Sequence, residues 1–112
     1  MRRNWKLALV VVAVLAVLVA GTATSSAATK AKKVTIPTSL TFTPHKVTIL
    51  KNHRVKWVNN SGTLHHILFT NGAKFDKDVP VGGSVIKVFR HKGTFHYHCT
   101  IHTFMTGVVT VT

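Results

Sequence analysis

Cys99, His102 and Met105 follow one another at three-residue steps in the segment Phe95-His96-Tyr97-His98-Cys99-Thr100-Ile101-His102-Thr103-Phe104-Met105-Thr106-Gly107. A loop with this spacing can wrap a thiolate, an imidazole and a thioether around a single metal ion. Soft sulfur donors beside imidazole favour copper, and two imidazoles and a thiolate with a weak axial thioether form the donor set of a blue-copper centre. A second imidazole must then come from elsewhere in the chain. The stretch Asn59-Asn60-Ser61-Gly62-Thr63-Leu64-His65-His66-Ile67 offers two, where a turn feeds into an apolar run. Structural zinc would accept Cys99 and the histidines but gains little from Met105. Cys99 is the only cysteine, so no disulfide can form within the chain. In an oxidising compartment a lone thiol needs burial or a metal to stay intact.

The elements that must hold these residues read as short strands. Apolar residues alternate with polar ones over Val34–Ile36, Ser39–Thr43, Lys46–Leu50, Arg54–Asn59, His65–Thr70, Ser84–Arg90, Thr94–Cys99 and Gly107–Thr112, the period of half-buried β-strands. Turn chemistry falls between them at Pro37, Pro44, Lys51-Asn52, Asn59–Gly62, Asn71-Gly72, Pro80–Gly83 and Lys92-Gly93. The fold class is therefore all-β, a small sandwich of seven to eight strands, with Val55, Trp57, Ile67, Phe69, Val85, Phe95 and Tyr97 as its expected core. Alternation puts Phe95, Tyr97 and Cys99 on one face of their strand and His96 and His98 on the other. Those two imidazoles read as surface or supporting residues, and His45, His53 and His91, set among lysines and arginine, read as solvated.

The chain opens with Arg2, Arg3 and Lys6, then an uninterrupted Leu/Val/Ala run from Leu7 to Ala20, then small residues to Ala28. That is the layout of a secretory signal, with an uncleaved membrane anchor as the alternative reading. Residues 1–28 are accordingly assigned as the signal segment and residues 29–112 as one domain, exported to the periplasm, cell surface or medium. A domain of that size is marginal on its hydrophobic core alone, and a bound metal helps. Its charge is one-sided: 15 Lys and Arg in the whole chain face only Asp76 and Asp78. Such a field attracts acidic redox proteins or anionic surfaces. Export and the absence of any binding motif argue against nucleic acid.

The turn leading to His65-His66 and the Cys99-x-x-His102-x-x-Met105 loop, entered from an aromatic strand, together resemble the plastocyanin family of cupredoxins. The three-residue steps are most similar to amicyanin and pseudoazurin. The likeness extends from about Val34 to Thr112 and includes Phe42-Thr43-Pro44 and Val55-Lys56-Trp57-Val58-Asn59. It implies a Greek-key sandwich carrying one copper ion that cycles between Cu(I) and Cu(II). His65, Cys99 and His102 would be equatorial ligands and Met105 the axial one. His66 stands where many relatives have a residue such as Asn that braces the two ligand loops; the distance from the Asn59-Asn60 turn favours His65 as the ligand over His66. The resemblance further implies a monomeric electron carrier rather than an enzyme, with His102, Leu64, Ile101 and Phe104 as the electron port. Copper sequestration or delivery outside the cytoplasm is the rival function. A multicopper oxidase is disfavoured because Cys99 is followed by Thr100, and a binuclear centre because there is no second cysteine.

Overall fold

The computed structural model describes residues 30–112; the expected signal segment, residues 1–28, lies outside the described residues. The alternating runs fold into eight strands: β1 (Lys32–Ile36), β2 (Lys46–Ile49), β3 (Arg54–Asn59), β4 (His65–Phe69), β5 (Asp76–Val79), β6 (Ser84–Val88), β7 (Gly93–Cys99) and β8 (Thr106–Val111). They form an all-β sandwich of two sheets, one ordered β1-β3-β6 and the other β2-β8-β7-β4-β5. The outer pairs β1/β3 and β2/β8 are parallel, and the remaining pairs are antiparallel.

Period-two alternation sets what each sheet buries. In β3, Val55, Trp57 and Asn59 point inward while Arg54, Lys56 and Val58 are half-exposed. Trp57 lies at the centre of an aromatic cluster, with ring centroids 5.5 Å from Tyr97, 5.6 Å from Phe75 and 6.0 Å from Phe69. Mostly edge-to-face contacts of this kind add to the burial energy of large rings. Of the expected core, Val85 is the exception. It is half-buried at the edge of the core, because β6 closes the three-stranded sheet and is covered on one side only. Among the described residues, the eight strands and this whole cluster lie between Lys32 and Val111.

Two strand assignments change. Ser39–Thr43 forms no strand; only Thr43 pairs, through a two-bond bridge with Thr35. Prolines at 37 and 44 remove donors at both ends of the segment, and Leu40 takes a positive φ of 57°, which breaks the extended path. Conversely, Asp76–Val79 is a strand that the expected set lacks. It pairs with β4 at the sheet edge, where charged residues are compatible with an unpaired outer side.

Strand direction delivers the chemistry to one end of the sandwich. β4 starts and β7 finishes there, and the antiparallel register Ile67↔Cys99 sets His65 just beyond the end of β7. Four loops meet at this end: residues 37–45, 60–64, 80–83 and 100–105. They are tied by Asn60 N–H to Ile36 O (2.9 Å), Asn59 N–H to Gly83 O (2.9 Å) and Asn59 Nδ2 to Thr63 O (2.7 Å). Below them Tyr97 faces Gly107 across the β7/β8 ladder. The ring fits only because position 107 has no side chain, since a Cβ there would sit 2.2 Å from Tyr97 Cζ.

Candidate metal centre

Three donors converge at this end. His65 Nδ1 and His102 Nδ1 lie 3.7 and 3.8 Å from Cys99 Sγ, and all three atoms fall within 4.8 Å of one another. A first-row metal roughly 2.0–2.3 Å from nitrogen and sulfur donors needs them roughly 3.5–4 Å apart around a plane. The two sulfur–nitrogen spacings meet that requirement. Among the described residues this is the one cluster of histidine, cysteine or carboxylate donors close enough to share an ion.

Each donor is held by local structure. Cys99 ends β7 with its side chain inward and fully buried, and its sulfur lies 3.4 Å from the backbone N–H groups of both His66 and His102. Both N–H groups are aimed at the sulfur and fix its position between the two imidazoles. The loop from Cys99 to Met105 is cross-tied by Cys99 N–H to Met105 O (3.0 Å) and Met105 N–H to His102 O (2.9 Å). Met105 is buried at the end of that loop, 2 % exposed, just before β8 begins.

His65 opens β4 and faces the core, with no exposure. Its Nε2 lies 2.7 Å from Ser61 Oγ. Ser61 in turn donates to Asn59 Oδ1 (2.8 Å), and the fully buried Asn59 amide donates to Thr63 O and Val79 O at 2.7 and 3.0 Å. A serine oxygen on Nε2 holds that proton and leaves Nδ1 free to ligate, the usual arrangement around a metal-bound imidazole. Burial first, and the neighbouring His102 second, lower the His65 pKa below its ordinary value. Both effects favour the neutral ring that a metal requires. The sequence reading took Asn59 and Ser61 only as turn formers; the signal for more was an Asn followed two residues later by Ser, the pattern of a side-chain-stabilised turn, directly before a ligand-type residue.

His66 points the opposite way, as strand alternation requires. Its Nδ1 lies 2.6 Å from Asp78 Oδ1, and its Nε2 bonds Asp76 Oδ1. The Asp78 and then the Asp76 carboxylate raise its pKa, favouring the imidazolium. The structure thus places His65 with Cys99 and His102, and His66 outside the cluster. His96 is exposed and His98 half-buried on the outer face of β7, away from Cys99. Around the half-buried His102 stand exposed apolar side chains: Phe104 (68 %), Ile101 (49 %) and Leu64 (44 %). Val81, in the 80–83 loop of the same end, is also exposed (59 %); it was not among the residues expected there.

A two-sheet β-sandwich with a thiolate and two imidazoles gathered at the loop end is the architecture of a small copper protein, and the comparisons with known proteins agree. The family model for a cupredoxin-like domain matches residues 9–111. The chain belongs to the cupredoxin family, whose members bind one copper ion. It is 32 % identical over 77 residues to amicyanin-alpha of Methylorubrum extorquens, a match covering 62 % of this chain. The chain spans 63 % of that relative's length. Among solved structures, a reduced Cu(I) form of an amicyanin variant superposes with a TM-score of 0.69 at 26 % identity, covering 78 % of this chain and 87 % of the other. A purple cupredoxin from Nitrosopumilus maritimus shares the fold, with a TM-score of 0.67 at 22 % identity over 72 % of this chain and 99 % of its own.

Proposed function

We propose that the chain is an exported, monomeric blue-copper electron carrier in which His65, Cys99 and His102 hold one copper ion and Met105 supplies a weak axial bond. The observation that carries this reading is the convergence of the three donor atoms within 4.8 Å beneath an exposed apolar patch. Bound copper would supply a one-electron change between Cu(I) and Cu(II). The chain's own residues do the rest. Cys99 and His65 sit at the ends of paired strands, and the Asn59–Ser61 chain fixes the His65 ring. Held donors limit rearrangement when charge changes, which favours carriage of electrons over handing the metal on.

His102 links the buried cluster to the surface, with the Phe104 ring 6.1 Å from it. The four loops of this end contain no lysine, arginine, aspartate or glutamate. A redox partner therefore meets His102 through apolar contact, and the domain's positive charge acts on it from outside these loops. Export rests on the composition of residues 1–28.

The test is the optical spectrum of the copper-loaded protein. An intense thiolate-to-copper band is expected and should vanish in Cys99→Ala; a colourless protein that takes up no copper would overturn the assignment. Phe104→Glu should keep the band and slow electron exchange with a redox protein. A reversible one-electron wave supports carriage, whereas stoichiometric loss of copper to an acceptor with no such wave supports delivery.

A further inference from the structure

The cationic side chains gather mostly at one pole; Lys46, which opens β2 beside the 37–45 loop, is at the other. Loops of a β-sandwich alternate between its two ends, and those opposite the metal cluster, residues 50–53, 70–75 and 89–92, carry Lys51, Lys74, Arg90 and Lys92. Lys32, Arg54 and Lys87 lie at or near the strand ends that reach the same pole. The loops touch: Asn52 N–H bonds Phe89 O (2.6 Å) and Phe89 N–H bonds His53 O (2.9 Å). A cleft of about 410 Å³ joins Lys74 and Lys87 to Arg90 and His91. Carboxylates do not offset this charge. Asp76 and Asp78 are the acidic residues of the chain, and both are engaged by His66. At the same pole Leu50 stands 58 % exposed beside Lys51.

The described chain also enters the fold here. Lys30 lies beside Leu50, His53 and Arg54, and the residues preceding it include the apolar run Leu7–Ala20. Whether that run is cleaved or retained, the pole that meets the chain's N-terminal side is the basic one, and the metal end, whose four loops carry no Lys, Arg, Asp or Glu, lies at the far end of the sandwich.

We infer that the basic pole is a docking surface for phosphate-bearing anionic lipid headgroups, which holds the domain against a membrane with the metal end turned outward. Several lysines and arginines on one face gain from the surface potential of an anionic leaflet, and the gain falls off within a Debye length. Leu50, ringed by cations, suits shallow insertion at the headgroup boundary. An acidic protein could meet the same charges, but neither the exposed leucine nor the chain entry point would follow from that. The proposal is independent of the electron-carrier reading, since its readouts require no redox activity.

The test is sedimentation of residues 29–112, which hold the eight described strands and the hydrophobic cluster between them, with phosphatidylcholine vesicles containing or lacking about a third of phosphatidylglycerol. Binding is expected to the anionic vesicles alone and to weaken as salt is raised. The combined variant Lys51→Gln, Arg90→Gln, Lys92→Gln should bind roughly a hundredfold more weakly. A second combined variant, Thr38→Glu, Ser39→Glu, Asn60→Glu, lowers net charge equally but at the metal end, and should change binding by less than about threefold. Orientation is read from the emission that an added surface tryptophan contributes over that of the buried Trp57, which both variants share: emission should shift to the blue on vesicles for Leu50→Trp and stay constant for Phe104→Trp. Equal losses in the two charge variants would show that net charge alone governs binding and would overturn the docking surface. Retention by poly-glutamate without vesicle binding would overturn it in favour of an acidic protein. A blue shift at position 104 and none at 50 would overturn the orientation.

Discussion

Two adjacent imidazoles, His65 and His66, end in opposite chemical states because one residue's step along a strand reverses the face. His65 is buried, neutral by preference and bonded to Ser61; His66 lies between two carboxylates that favour its charged form. Each makes a prediction. Ser61→Ala removes the nearer partner of His65 Nε2 and leaves only Thr63 Oγ1 at 3.3 Å, so copper affinity should fall by roughly 10- to 100-fold while the fold is kept, as measured by competition with a chelator. His66 has a folded pKa raised above its ordinary 6.5. Its stabilisation is therefore complete at pH below about 6.5 and lost as pH rises through the folded value. The gap in denaturation midpoint between the natural chain and Asp78→Asn should be largest near pH 5.5 and narrow toward pH 9. A gap independent of pH would show that Asp78 acts on the fold by a route other than the His66 charge.

Among the elements, the β7/β8 hairpin has the narrowest tolerance, because the ligand loop is the connection between its strands. Tyr97 lies over Gly107 one residue after that loop closes, and a methyl group there would meet the ring at 2.2 Å. Gly107→Ala should cost about 1–3 kcal/mol by overpacking, with urea unfolding as the measure. Because the displaced ring belongs to the strand that carries Cys99, the thiolate-to-copper band should also shift. Trp57→Ala, deeper in the sandwich, should cost about 3–5 kcal/mol through the cavity it leaves among Tyr97, Phe69 and Phe75. The strand reading failed at two segments for complementary reasons. Ser39–Thr43 has alternation but is bounded by prolines and kinked at Leu40, whereas Asp76–Val79 has charges where a strand normally has an apolar face. Its carboxylates are satisfied by His66 on the neighbouring strand, a compensation visible only once β4 and β5 are paired.

For the molecule as a whole, the metal is a staple for a small core. A ligand present at about 100 times its dissociation constant adds about 2.7 kcal/mol to stability. For a domain of this size that amounts to a rise in melting temperature of about 10–20 °C. Calorimetry of the copper-loaded and chelator-treated protein should show that difference, and Cys99→Ala should melt at one temperature in both conditions. The same whole-molecule view separates two surfaces that net charge alone merges: an end at His102 whose loops are apolar and free of charged residues, and a basic end opposite it.

The donor types, the loop from Cys99 to Met105 and the all-β class were legible in the sequence, because each rests on local geometry: three-residue steps within one loop and period-two alternation within single strands. So was the one-sided charge, which is a matter of composition. The tertiary structure decided what depends on pairing. Register placed His65 beside Cys99 and sent His66 outward to Asp76 and Asp78. The meeting of loops placed Asn59 and Ser61 behind the His65 ring. Segregation of charge into a pole was beyond the sequence for a definite reason: loops alternate ends strand by strand, so admitting a false strand at Ser39–Thr43 or missing the true one at Asp76–Val79 assigns the loops that follow to the wrong end.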